Sequence, residues 1–187
     1  MKKLLPIIAL TLLLSACNGD TNVAETENPH EAFFANLSSL CGETLTGGST
    51  FPDDPDHPLV DTELNNHISE CDESKIRIEL YRDGDYWHGA WVIEKREEGL
   101  HLFHDHLGDV RTMEDLGEND FHGYGGYADD TGSATTQFFP ADDATADIIP
   151  AAVTNVWMMD LDLENGKFVY YLERHNEPRF RAEMFVN

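Results

Sequence analysis

From Lys75 onward the chain keeps a period of two. Ile76, Ile78 and Leu80 alternate with Lys75, Arg77 and Glu79, Asp83-Gly84-Asp85 interrupts the pattern, and Tyr86 to Lys95 resumes it. Such alternation puts apolar side chains on one face of a pleated strand and polar ones on the other, and a short Asp/Gly turn between two such stretches signals a hairpin. The pattern returns in Leu100 to His106, Phe121 to Tyr127, Ser133 to Phe139, Val153 to Leu163, Lys167 to Arg174 and Arg179 to Val186. Asp-Thr-Gly, Glu-Asn-Gly and Asn-Glu-Pro turns separate several of these stretches. Asp142 to Ile149 is compatible with one helical turn, but no long helical period recurs to supply the crossovers of a parallel sheet. The spacing predicts a mainly β fold, either a single antiparallel β-barrel or a β-sandwich.

The segment before Lys75 is less regular. Phe33, Phe34, Leu37 and Leu40 recur at helical spacing between Pro29 and Leu40, and Cys41-Gly42 supplies a stop, so one short N-terminal helix is expected. Thr44 to Pro58 is rich in Gly, Asp and Pro, and Asp53, Asp54, Pro55 and Asp56 read as a loop after a short strand. Leu64 to Cys71 reads as a further strand.

Parity along the strands proposes an interior. Trp87, Trp91 and Ile93 share one face, as do Val153, Asn155, Trp157, Met159 and Leu161; Phe168, Tyr170 and Leu172 form a third set, and Phe180, Ala182 and Met184 a fourth. Aromatic side chains dominate these sets. In a closed sheet of about eight strands or more they either fill the core or line a pocket. Trp and Met are also common gap fillers, which favours a mostly packed core. Trp87, Trp91, Trp157 and Tyr170 are the candidate pocket residues.

The N-terminus carries a different signal. Lys2 and Lys3 precede an apolar run from Leu4 to Leu14, which is too short to cross a bilayer, where about 20 apolar residues are needed, and fits a secretory leader. Leu14-Ser15-Ala16-Cys17 resembles the lipobox of bacterial lipoproteins. That resemblance implies cleavage before Cys17, acylation of its thiol and attachment to a membrane through it. Asn18 stands where aspartate would resemble an inner-membrane retention signal, so the expected location is the periplasmic face of an outer membrane. The expected organisation is a leader over residues 1–16, a flexible tether over 17–29 and one β-rich domain over 30–187. Asn18 to Pro29 is polar and acidic with one isolated Val23, too little apolar surface to order itself.

Removal of the leader leaves 171 residues, enough for one full core, and takes the formal charge from -24 to -26. An acidic surface of that size repels phosphate backbones and anionic headgroups, which excludes nucleic acid as a partner of the domain. With Cys17 acylated, Cys41 and Cys71 are the remaining pair in an oxidising compartment, and a bridge would close a loop of about 30 residues. Chain entropy makes such a bridge worth roughly 3 to 4 kcal/mol. The absence of Cys-x-x-Cys spacing argues for a staple over a redox role.

The densest group of ligand-type side chains is Leu100-His101-Leu102-Phe103-His104-Asp105-His106-Leu107-Gly108-Asp109. Residues two apart on a strand point the same way, so His104 and His106 could hold zinc or another divalent metal, with a third ligand from His122, Asp109 or His88. The competing picture is a strand end whose imidazoles bond to neighbouring carboxylates and backbone. Leu100 and Leu102 share the parity of this pair, which aims both imidazoles inward. Asp130-Thr131-Gly132-Ser133 matches the aspartic-protease tetrapeptide, but that chemistry needs two facing copies, and a hairpin turn explains one. Asp160-x-Asp162-x-Glu164-Asn165-Gly166 departs from a calcium loop in its glycine position and in Tyr171 at the twelfth place, and reads as a turn. Gly123-Tyr124-Gly125-Gly126 lacks the strand-to-helix setting of a phosphate loop and fits close strand packing. Arg174, His175, Arg179 and Arg181 read as partners for nearby acids or as an anion-binding spot.

Leu40-Cys41-Gly42, Glu70-Cys71, Leu100 through His106, Tyr124-Gly125-Gly126, Gln137 to Asp142 and Val153 to Trp157, taken in order, resemble a family of exported proteobacterial proteins without an assigned activity. The resemblance spans roughly residues 37–186 and implies one β-rich domain, with no catalytic residues to carry over. A likeness to lipocalin barrels is one of architecture alone, because no Gly-x-Trp motif opens a first strand. The functional expectation is a lipid-anchored, non-enzymatic module that binds a small apolar ligand. The alternatives are an envelope structural or interaction protein, whose protein partner the sequence does not identify, and a metal-binding protein using His104 and His106.

Overall fold

In the computed structural model, which describes residues 28–52, 56–107 and 122–187, the first element is a helix, α1 (Pro29–Ser38). The Asn28 side chain accepts from the His30 amide, and Pro29 occupies the first turn, where its missing N–H costs nothing. The helix buries Phe33, Phe34 and Leu37 and stops at Ser38, two residues before the expected Leu40. The leader, Cys17, nearly all of the tether, residues 53–55, Asp109 and Phe121 lie outside the described residues.

Strands follow in the order β1 (Thr44–Phe51), β2 (Leu64–Cys71), β3 (Lys75–Arg82), β4 (Tyr86–Arg96), β5 (Gly99–Asp105), β6 (Gly123–Tyr127) and β7 (Thr136–Pro140). A short helix, α2 (Asp143–Ile148), and a 3-10 turn, Pro150–Ala152, lead to β8 (Asn155–Asp162), β9 (Lys167–Arg174) and β10 (Glu177–Val186). All ten strands form one antiparallel sheet in the order β6-β5-β4-β3-β2-β1-β10-β9-β8-β7. Between the two expected architectures the molecule takes the barrel. Its sheet curls until the outer strands β6 and β7 nearly meet, so the closure comes from one sheet and not from two stacked ones.

The seam lacks a ladder and is held by single bonds. Asp129 N donates to Phe138 O at 2.9 Å and Asp142 N to Gly125 O at 3.1 Å. The Thr145 hydroxyl, from α2, donates to Gly125 O and accepts from Gly125 N, both at 2.7 Å. A Cβ on Gly126 would run into the Pro140 carbonyl, so glycine lets the two backbones touch there.

An up-and-down path places the β2–β3, β4–β5, β6–β7 and β8–β9 turns at one end of the barrel, and α1 plugs that end. Its Glu31 pairs with Lys95 at 2.5 Å, the Lys95 ammonium sits 4.4 Å from the Phe34 ring centroid, and Asn36 Nδ2 donates to Ala134 O at 2.7 Å. The Cys41–Cys71 disulfide, 30 residues apart in sequence, ties the chain just after the plug to the end of β2. Phe33, Leu37, Leu45, Ile68, Ile76, Ile93, Leu102, Met159 and Met184 fill the core above it, each at most 1 % exposed. Two expectations about strands change. β1 runs through Gly47 and Gly48 to Phe51 where a short strand was expected, and Val153 is exposed in the turn before β8 instead of facing inward.

Candidate functional site

The end opposite α1 is shaped by an irregularity in β4. Leu80 pairs with Gly89 and Tyr81 pairs with Trp87, so His88 is an extra residue with no cross-strand partner. A bulge of this kind shifts every side chain beyond it to the other face. Trp91 and Ile93 therefore point inward as their parity predicts, whereas Trp87 points outward. Its indole N–H donates to Glu79 Oε2 at 2.6 Å, on the same outer surface where Glu79 and Asp105 hold Arg77 at 2.6 and 2.9 Å. Trp87 is thus removed from the candidate pocket residues.

Behind the bulge lies a cavity of about 220 Å³, lined on its apolar side chiefly by Leu80, Trp91, Tyr170 and Phe180. Trp91 stacks on Tyr170 with ring centroids 4.3 Å apart. Trp157, 1 % exposed, is packed behind the wall, 5.6 Å from Tyr124 and 4.9 Å from His104, and supports the lining without belonging to it. Of the four residues proposed for a pocket, Trp91 and Tyr170 line the cavity.

The polar part of the lining is made of imidazoles and phenols. His104 Nε2 lies 2.8 Å from the Tyr170 hydroxyl, and the ring stacks on Tyr124 at 4.8 Å. Burial pushes the His104 pKa down to about 3 and the Tyr124 phenol up to about 12, and it raises Tyr170 well above the ordinary range. His88 is held down to about 4, mainly by burial and further by the positive charge of Arg82. At neutral pH these groups carry no charge. Asp105 touches the cavity, but its carboxylate is turned to the outer surface, where it accepts from Arg77 and from the Leu107 amide at 2.8 Å.

His104 and His106 both border the cavity, as strand parity requires. His122 does not join them. It lies 3.8 Å from Asp105 Oδ1 and 5.4 Å from the Phe103 ring, on the outer face of β5, because Phe103 and Asp105 alternate with the inward His104. Among the described residues no three or more His, Cys, Asp or Glu side chains converge in a way that would hold a metal ion. The Asp130 and Asp160 motifs are turns: Asp129 Oδ1 caps Thr131 N at 2.8 Å and Asp162 Oδ1 caps Asn165 N at 3.2 Å. Within the basic C-terminal group Arg181 pairs with Glu183 at 2.5 Å, Arg174 bonds Asn155 at 2.7 Å and His175 lies 2.8 Å from the Thr154 hydroxyl.

Leu80, Phe180, His57 and the inward turn of His88 were not part of the sequence-derived pocket. The His88-Gly89 pair in the middle of an alternating strand was the available signal, because a lone glycine in a strand marks bulges. Phe180 and His57, stacked at 5.3 Å, come from parts of the chain whose proximity no local pattern encodes.

Comparison with known proteins finds no matching family model, no matching curated protein and no matching solved structure.

Proposed function

We propose that the domain is a non-enzymatic binding module for a small, uncharged, largely apolar ligand, held at the end of the barrel opposite α1. The observation that carries this reading is the cavity behind the His88 bulge, whose walls are aromatic rings and hydrocarbon and whose His88, His104, Tyr124 and Tyr170 are neutral at physiological pH. A charged ligand entering it would lose hydration without gaining an opposite charge, which is strongly unfavourable. Size narrows the class further. A cavity of roughly 150 Å³ accepts a benzene ring, so about 220 Å³ suits one ring with a few substituents and is too small to enclose a long acyl chain. The leader pattern and the Leu14-Ser15-Ala16-Cys17 sequence support the same module acting while tethered to lipid through Cys17, at the periplasmic face of an outer membrane.

Native mass spectrometry of protein purified from its own envelope tests the binding reading. A co-purifying mass of small-molecule size is expected, lost in Leu172→Trp, which places an indole at the half-buried edge of the cavity. Protein that arrives empty and leaves toluene unbound in an NMR titration would remove the reading. Labelled palmitate that incorporates into the native chain and not into Cys17→Ser tests the anchor.

A further inference from the structure

The cavity contains a polar side chain that the fold turns toward it and leaves without a hydrogen bond to any described residue. His88 borders the cavity as the extra residue of the β4 bulge. Without that extra residue, strict alternation between Trp87 and Gly89 would leave no side chain there to turn in, and bulges recur where a strand re-aims a side chain at a site. Each of the other imidazoles of the lining has a contact within the fold. His104 is bonded to Tyr170, His57 accepts from Leu59 N at 3.3 Å and stacks on Phe180, and His106 packs 5.1 Å from Tyr124. His88 makes no hydrogen bond to any described residue. Its electrostatic neighbours are Arg82, His106 and His57, and the Arg82 guanidinium donates to Pro58 O at 3.0 Å and lies 4.6 Å from the Tyr86 centroid.

Resting on the cavity reading above, we infer that His88 is the specificity-determining residue of the site and that the ligand is a single aromatic ring bearing a hydroxyl group. A neutral imidazole offers one donor and one acceptor, and a hydroxyl is the smallest uncharged group that can answer either. The ring lies against Trp91, Tyr170 and Phe180, and its hydroxyl exchanges a hydrogen bond with His88. A carboxylate in the same place would meet the neutral His88, His104, Tyr124 and Tyr170, while Arg82 Nη1 is already bonded to Pro58 O.

The test uses the purified protein and three probes, phenol, toluene and benzoate, titrated by NMR and calorimetry. Phenol is expected to bind about fivefold more tightly than toluene, the gain of one net hydrogen bond, with benzoate the weakest of the three. Phenol should also shift the His88 ring nitrogens, a change that a merely structural imidazole would not show. His88→Leu should bring phenol down to the affinity of toluene while toluene still binds, and His88→Gln should restore part of the preference. Equal affinities for phenol and toluene in the native chain, a preference that survives His88→Leu, or benzoate binding as well as phenol would each overturn the inference and leave the cavity reading standing. If neither phenol nor toluene binds, the cavity reading itself falls. If His88→Leu fails to fold, the ring-nitrogen shift in the native protein decides alone.

Discussion

Asn66 is the residue whose chemistry fits its place least. It sits on the inner face of β2 between Leu45 and Leu80, fully buried, and neither Oδ1 nor Nδ2 has a hydrogen-bond partner among the described residues. A buried polar group in that state costs about 1–3 kcal/mol, whereas an apolar side chain of similar size has no such penalty. Asn66→Leu is expected to raise unfolding free energy by about 1–2 kcal/mol, read as a higher urea midpoint at unchanged slope. A lower midpoint would mean that the amide contributes to packing or bonding. Single residues were only partly legible in the sequence. Trp91, Trp157, Tyr170 and His104 follow strand parity and point where alternation puts them, because a strand with one buried face leaves no other choice. Trp87 belongs to the same strand by the same rule and points the other way, because one inserted residue reverses parity and only the partner strand fixes where it is inserted.

At the scale of elements, boundaries with a local cause were readable and contacts between distant elements were not. β2 and β9 begin and end as the alternation predicts, and the Asp83-Gly84 turn shows positive φ at both residues, as a hairpin of that composition requires. The seam between β6 and β7 had no sequence signature, since it depends on a threonine from a six-residue helix reaching Gly125 across 20 positions of chain. One hydroxyl serves both backbone groups of Gly125. Thr145→Val keeps the shape of that side chain and removes the hydroxyl, leaving the buried Gly125 N–H without its partner and the carbonyl with Asp142 N alone. The expected cost is about 2 kcal/mol, together with faster hydrogen exchange at the Gly125 amide. Unchanged exchange there would show that closure does not depend on Thr145.

The whole molecule combines a strongly acidic exterior with an interior that resists protons, and the two respond oppositely to acid. Protonating surface carboxylates relieves repulsion within a chain of net charge -24, which favours the folded state. Protonating histidines does the reverse. His104 is held down to about 3 and His88 to about 4, both chiefly by burial, and burial also lowers His101, while an unfolded histidine titrates near 6.5. As pH falls below about 6.5 the unfolded chain takes up protons that these folded imidazoles refuse, so their contribution is complete above that pH and is lost on the way down to about 4 for His88 and about 3 for His104. Glu70, held low by Lys75, and Asp72, held low by Ser74, lose their contributions only below the ordinary carboxylate range, so between about 6.5 and 4.5 the histidines decide the sign. For the fully enclosed His104 the slope approaches about 1.4 kcal/mol per pH unit, with less from the more exposed His88. Urea midpoints measured from pH 7.5 to 4.5 are expected to fall with acid. The fall should steepen in 1 M salt, because screening removes the opposing surface term and leaves the buried one nearly untouched. His104→Phe should flatten the profile while the surface charge stays the same. A native profile that is level or rises toward pH 4.5 in high salt would mean that water reaches these imidazoles, and a ligand site built on their neutrality would lose its basis.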